Sequence, residues 1–208
     1  MKKYFKELCF FAYILFAVIS CSDVKVNITT VYPQFVYEYA SRNSAPSVKL
    51  SVFAEVTSGD KRIQSVTIKN TTSGMSWTAD SIEVVSGMSS RKLYAGYSSF
   101  CMPASQKFDK AVYQVIYEDK AGHTTDALFS LNQEDADKYA STALSKTDKQ
   151  YLVVGKNGEI LYTGAATNAF GSQELVKQDF PDAAYYREYV LNVDLKAIYL
   201  MPIVELKK

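Results

Sequence analysis

From Val48 to Val56 the chain alternates, with Val48, Leu50, Val52, Ala54 and Val56 separated by Lys49, Ser51, Phe53 and Glu55. A period of two sends successive side chains to opposite faces, so this stretch predicts a β-strand with one face in a core. Ser58-Gly59-Asp60-Lys61 predicts the turn after it, and Ile63 to Lys69 the next strand, with Val66 and Ile68 inward. Beyond a turn at Asn70 to Gly74, Trp77 to Val85 reads as a weaker strand, Ser86 to Arg91 as a polar loop, and Leu93 to Tyr97 as too short to assign. The alternation returns at Ala111-x-Tyr113-x-Val115-x-Tyr117 and again from Thr124 to Leu131. Upstream, Val24, Val26 and Ile28 lead from a short polar tether into a first strand that Pro33 interrupts and Phe35 to Tyr39 continues, as Pro is tolerated where no ladder N–H is required.

At Asn132 the period changes. Ala136, Tyr139, Ala140, Ala143 and Leu144 recur at helical spacing, behind an Asn cap and acids that complement the helix dipole, so Asn132 to Lys146 is predicted as a helix. Past it, Tyr151 to Val154 and Glu159 to Tyr162 flank Gly155-Lys156-Asn157-Gly158, a hairpin signal. Gly164 to Gly171 reads as loop, Ser172 to Gln178 as one helical turn, and Tyr189, Leu191, Val193 and Leu195 as a further strand. Ile198 to Leu206 closes the chain as a strand that Pro202 places at an edge or a bulge.

The first 21 residues follow neither period. Lys2, Lys3 and Lys6 precede an uncharged apolar run, Leu8 to Ser20, of about a dozen residues, the length of a signal-peptide core and too short for a membrane-spanning helix. The run ends in Val18-Ile19-Ser20-Cys21, which resembles the lipobox of bacterial lipoproteins. The resemblance implies cleavage before Cys21, with diacylglycerol and an N-acyl chain attached there. Each buried methylene of such chains contributes about 0.8 kcal/mol, so two or three chains hold a protein at a bilayer where one does not. Residue 22 is Ser rather than Asp, which omits an inner-membrane retention signal known in some bacteria and favours the outer membrane or cell surface.

Removing twenty residues from 208 leaves 188, enough for one domain of ordinary size, or one with a small satellite, that buries about 70% of its unfolded surface. The leader takes three Lys and one Glu with it, turning the net charge of +1 into −1. That balance gives no electrostatic footprint for nucleic acid. Cys101 becomes the one thiol left after Cys9 is removed and Cys21 acylated, which excludes an intrachain disulfide; its apolar neighbours Phe100 and Met102 predict burial. The 16 tyrosines fit half-buried strands first and binding faces second.

Two local motifs in the 47–131 stretch carry a second resemblance. Asp109-x-Ala111-x-Tyr113 resembles the tyrosine corner of immunoglobulin-like sandwiches, with Val115 where antibody-type domains carry Cys. Asp119-Lys120-Ala121-Gly122-His123 is similar to the turn between the last two strands of bacterial immunoglobulin-like and fibronectin-type repeats. The expected fold is mainly β: an immunoglobulin-like β-sandwich, one helix, and a smaller β-rich C-terminal region. The expected organisation is a leader over 1–20, lipidated terminus, tether and sandwich over 21–131, a linking helix over 132–148, and the C-terminal region over 149–208.

Catalytic chemistry is thin. His123 is the only histidine and falls in a tight turn, so a triad or a His metal cluster has little to build on. Its pairing with Cys101 as a nucleophile has no support in spacing. Glu134, Asp135 and Asp137 lack the ligand pattern of a calcium loop and suit a helix start. No metal or cofactor is expected beyond the lipid on Cys21. Two aromatic groups, Tyr94 with Tyr97 and Phe100, and Tyr185 with Tyr186 and Tyr189, are the candidate ligand contacts, although their strand spacing favours filling of the sandwich core and its rim. The sequence therefore predicts a membrane-anchored envelope lipoprotein displaying a non-catalytic sandwich for protein binding, structure or adhesion. The alternatives are a surface carbohydrate-binding module and, more remotely, a hydrolytic enzyme that joins His123 to an acid.

Overall fold

The computed structural model of the protein describes residues 25–87, 92–103 and 106–206. Val18, Ile19, Ser20 and Cys21 lie outside the described residues. The first two strands, β1 (Asn27–Glu38) and β2 (Ser47–Ser58), are antiparallel, and β2 turns Leu50, Val52, Ala54 and Val56 inward as its alternation predicts. β3 (Ile63–Asn70), β4 (Ser76–Ala79), β5 (Glu83–Ser86), β6 (Leu93–Phe100), β7 (Ala111–Asp119) and β8 (Thr124–Leu131) complete two sheets. The order β1-β2-β6-β5 faces β4-β3-β7-β8, the arrangement of an immunoglobulin-like sandwich. Between them lie Val52, Val66, Ile68, Tyr113, Val115 and Tyr117, all without exposed surface.

Both local motifs fold as their resemblance implies. The Tyr113 hydroxyl donates to the Asp109 carbonyl at 3.2 Å, closing the corner. Asp119, fully buried, accepts from the backbone N–H of Ala121 at 2.8 Å and of His123 at 3.0 Å, while Gly122 adopts φ 83°, which a side chain would strain. Burial pushes the Asp119 carboxyl up, but the His123 and Ala121 amides and the imidazole outweigh it and hold it below the ordinary carboxylate value.

Several expectations shift. Trp77 to Val85 is two strands in different sheets, because the chain breaks at Asp80-Ser81 and β5 crosses to β6. The segment too short to assign is β6, an inner strand between β2 and β5. Gly96 sits there because a Cβ would fall 2.1 Å from the Val52 carbonyl oxygen. A register shift near its end turns Phe100 into the core, so Cys101 falls in the following loop and is exposed, against the burial expected of it. Its Sγ lies 3.4 Å from the Ser99 carbonyl. β1 runs unbroken through Pro33. The Phe35 N–H donates to Lys196, and N–H groups two residues apart point the same way, so Pro33 turns its missing donor toward a side where no strand yet lies.

Beyond β8, α1 (Gln133–Ser145) matches the predicted helix, capped by Asn132, whose Oδ1 accepts from the Asp135 N–H at 3.3 Å. β9 (Gln150–Gly155) and β10 (Ile160–Ala165) form the expected hairpin, with Gly158 at φ 83°. A 3-10 turn at Asn168–Gly171 and the short α2 (Gln173–Asp179) follow, then β11 (Ala183–Asn192), β12 (Ala197–Leu200) and β13 (Val204–Glu205). The alternation assigned to Tyr189–Leu195 stops at Asn192, whose side chain accepts from the Leu195 N–H and starts a turn. The single last strand expected from Ile198 to Leu206 is instead two, parted at Met201–Ile203 around Pro202, and its first part lies inside the sheet rather than at an edge.

These strands enter the first sheet: β12 pairs in parallel with β1, Phe35 opposite Ala197 and Tyr37 opposite Tyr199, giving the path β10-β9-β11-β12-β1-β2-β6-β5, with β13 also on β11. Buried Arg187 locks the join, donating from Nε to the Met201 carbonyl, from Nη2 to the Leu200 carbonyl and from Nη1 to Glu38 Oε1 at 2.8 Å. Where the second sheet ends, α1 covers this face. Tyr199 donates to the Ala136 carbonyl at 2.8 Å, Tyr39 to that of Ala140 at 3.0 Å, and Tyr37 to Asp137 at 2.6 Å. The alanines on the helix let the strands approach closely enough for those bonds. A smaller cluster, Val153, Val176, Ala183 and Leu206, seats α2 on β9 and β11.

Candidate functional site

Neither aromatic group forms a platform, and Tyr97 and Phe100 of the first pack as the core-filling alternative expects. On β6, Tyr97 and Phe100 meet edge-to-face at 5.0 Å and pack on the core, while Tyr94 points to the opposite face and meets Tyr32 at 5.5 Å. On β11, alternation sends Tyr185 and Tyr186 to opposite faces. Tyr189 leaves Tyr186 too, its hydroxyl 2.7 Å from Thr163 Oγ1.

Tyr186 instead joins rings that sequence spacing did not associate with it. Its ring centroid lies 5.9 Å from Phe170 and 6.4 Å from Tyr151, which stacks on Phe170 at 3.9 Å. Tyr151 and Glu188 are cross-strand partners on β9 and β11, so they and Tyr186 share one face. Phe170 reaches them from the 3-10 turn. The three rings wall a recess of about 510 Å³ that is completed by Ala40, Ser41 and Arg42 of the β1–β2 loop, Glu188, and Met201, Pro202 and Val204. Its volume lies within the range of small-ligand sites.

Glu188 gives the recess its charge. Oε2 accepts from Arg42 Nη2 at 3.1 Å and from Lys149 Nζ at 3.0 Å, and Oε1 has the Tyr151 hydroxyl at 3.5 Å. Lys149 is nearly enclosed, at 11% side-chain exposure, whereas Arg42 is 61% exposed at the mouth. Burial, and then the Glu188 carboxylate, raise the Tyr151 and Tyr186 hydroxyls above the ordinary value, so both stay protonated donors at neutral pH.

A larger recess of about 580 Å³ lies under α1, between Pro46, Met102, Phe108 and Asp137. Its polar groups are engaged by the fold: Asp137 takes Tyr37, Lys107 and Gln133, and Gln133 Oε1 accepts from the Phe108 N–H at 2.8 Å. Burial and Asp137 drive the Tyr37 hydroxyl well above its ordinary value. That recess reads as framework.

His123 sits 3.3 Å from Asp119 in the β7–β8 turn, remote from both recesses. Among the described residues no group of three or more His, Cys, Asp or Glu side chains is placed to hold a metal, and no helix is long and apolar enough to cross a membrane. Tyr186 was legible as a candidate, and Glu188 shares its face at period two. Phe170, in a loop without period, and Arg42, in a polar loop, carried no signal. Against protein-family models, curated proteins and solved structures alike, the chain matches nothing.

Proposed function

We propose that the protein is a lipid-anchored envelope lipoprotein whose sandwich holds an aromatic recess away from the membrane to capture a ligand. The lipobox-like Val18-Ile19-Ser20-Cys21 supplies the anchor, and four residues of tether separate Cys21 from Val26. The observation that carries the reading is the position of the recess. β1 starts at Asn27 on the tether side and runs 12 residues to Glu38, just before the Ala40-Ser41-Arg42 wall. At about 3.3 Å per residue the strand spans roughly 40 Å. The start of β1 and the recess therefore occupy opposite ends of one strand, which supports a recess turned away from an anchor at Cys21.

Palmitate labelling of wild type and Cys21→Ser tests the anchor: label lost in the variant supports it, and undiminished label removes it. Photocrosslinking from Tyr186, compared with Tyr94 on the outer sheet face, tests the recess. Adducts in the native envelope concentrated at position 186 support capture, and equal yield at both positions contradicts it.

A further inference from the structure

We infer that the recess takes an acidic sugar, a pyranose ring bearing a carboxylate within a glycan chain. This rests on the recess being a ligand site and names its chemistry. Three aromatic rings offer apolar surface, yet Glu188 lies among them with Oε1 approached only by the Tyr151 hydroxyl at 3.5 Å. An occupant that covers the ring faces also takes water from that oxygen, whose one protein donor is a long contact, so an occupant that returns a hydrogen-bond donor there is favoured. An apolar peptide side chain meets the first demand and fails the second. A pyranose meets both, with an axial C–H face against Tyr186 or Phe170 and a hydroxyl toward Glu188.

Charge then selects among sugars. Arg42 and Lys149 share one carboxylate, leaving the site one positive charge in excess. Lys149 is enclosed, so the surplus is expressed at Arg42, whose guanidinium has five donors and is mostly open to solvent at the mouth. A cationic side chain is repelled there. A uronate carboxylate finds the planar fork that Arg matches best.

The test uses full-length protein in detergent micelles, titrated with tetramers of galacturonate and of mannuronate, with a neutral galactose tetramer as control and tyrosine ring NMR signals as readout. At least one uronate tetramer is expected to bind with submillimolar Kd and at least tenfold more tightly than the neutral tetramer. Tyr186→Ala weakens that binding at least tenfold, Arg42→Gln on the exposed loop abolishes the preference for uronate, and Tyr94→Ala changes nothing. Thermal unfolding of each variant checks that it is folded, and Arg42→Gln carries the result if Tyr186→Ala is not. Uronate binding that is absent, or indifferent to Arg42→Gln, overturns the inference. If an acidic tyrosine-containing tetrapeptide then shifts the Tyr151 and Tyr186 signals where uronates do not, the sugar is wrong and the recess stands; if neither ligand shifts them, both readings fall.

Discussion

Tyrosines of the sandwich and of the C-terminal region meet opposite fates. In the sandwich and under α1, Tyr37, Tyr113, Tyr117 and Tyr199 are no more than 1% exposed, and each hydroxyl has an acceptor: Asp137, Ala95 and Ala136 across the core for Tyr37, Tyr117 and Tyr199, and the nearby Asp109 carbonyl for Tyr113. In the C-terminal half, Tyr151, Tyr162 and Tyr186 are half-buried around Phe170. The difference lies in the cover. A second sheet and a 13-residue helix close over the first set, while a 3-10 turn and the seven-residue α2 close over the second and leave ring faces at their margin. One residue type thus serves as internal strut where its tip finds backbone and as open wall where the lid runs short.

Truncation sharpens this contrast most. Tyr199→Ala is expected to cost about 4 kcal/mol by urea denaturation, from lost transfer energy and the cavity left behind, and Tyr151→Ala only about 1 kcal/mol. Equal losses would dissolve the distinction. Next in size is the join between the halves: Arg187→Met takes the side-chain donor from the Met201 carbonyl and from Glu38, while the Leu200 carbonyl keeps the Tyr39 N–H, and should cost about 2 kcal/mol, with faster amide exchange confined to β11 and β12. Asn132→Ala removes the α1 cap and should cost about 1 kcal/mol, seen as a lower midpoint at unchanged m-value.

Removing the hydroxyl alone gives a finer version of the first comparison. Tyr199→Phe removes the hydroxyl that donates to the Ala136 carbonyl and should lose about 1 kcal/mol, while Tyr186→Phe stays within a few tenths. The smallest effect is one of pH. The hydrogen bond from Arg187 holds the Glu38 carboxyl below its ordinary 4.5, outweighing burial, with the charges of Arg187 and Lys49 adding to it. A depressed folded value means that the unfolded chain takes up the proton first, so this stability is complete above about pH 5 and declines as pH falls below 4.5. Glu38→Gln should flatten that acid limb, and the part that persists belongs to groups such as Asp119.

What the sequence disclosed was local. Asp109-x-Ala-x-Tyr113 and Asp119-x-Ala-Gly122 are closed by bonds within four residues, and α1 by a cap three residues away, so the residues that cause each feature sit together in the chain. The alternation of β2 told its face but not its neighbours. β6 escaped because Gly96 and the exchange of facing around Ser98 and Ser99 blur its period, and the break at Asp80-Ser81 hid the move of β5 to the other sheet. The recess was less legible still. Its walls come from residues 40–42, 151, 170, 186, 188, 201, 202 and 204, which only the folded sheet assembles. Tyr185 and Tyr186 looked like one patch because adjacency along a strand is opposition across it.

The parallel pairing of β12 with β1 also sets when the fold can be finished. Phe35 meets Ala197, 162 positions further along, so the middle of the longest sheet is filled by a strand far down the chain. Until they arrive, the upper half of β1 presents an unpaired strand edge with β11 unable to dock. A contact of such sequence separation makes closure late and slow relative to the local hairpins. Completion of the long sheet is thereby deferred until β11 and β12 have docked, after the hairpins of both sheets have closed on their own local contacts.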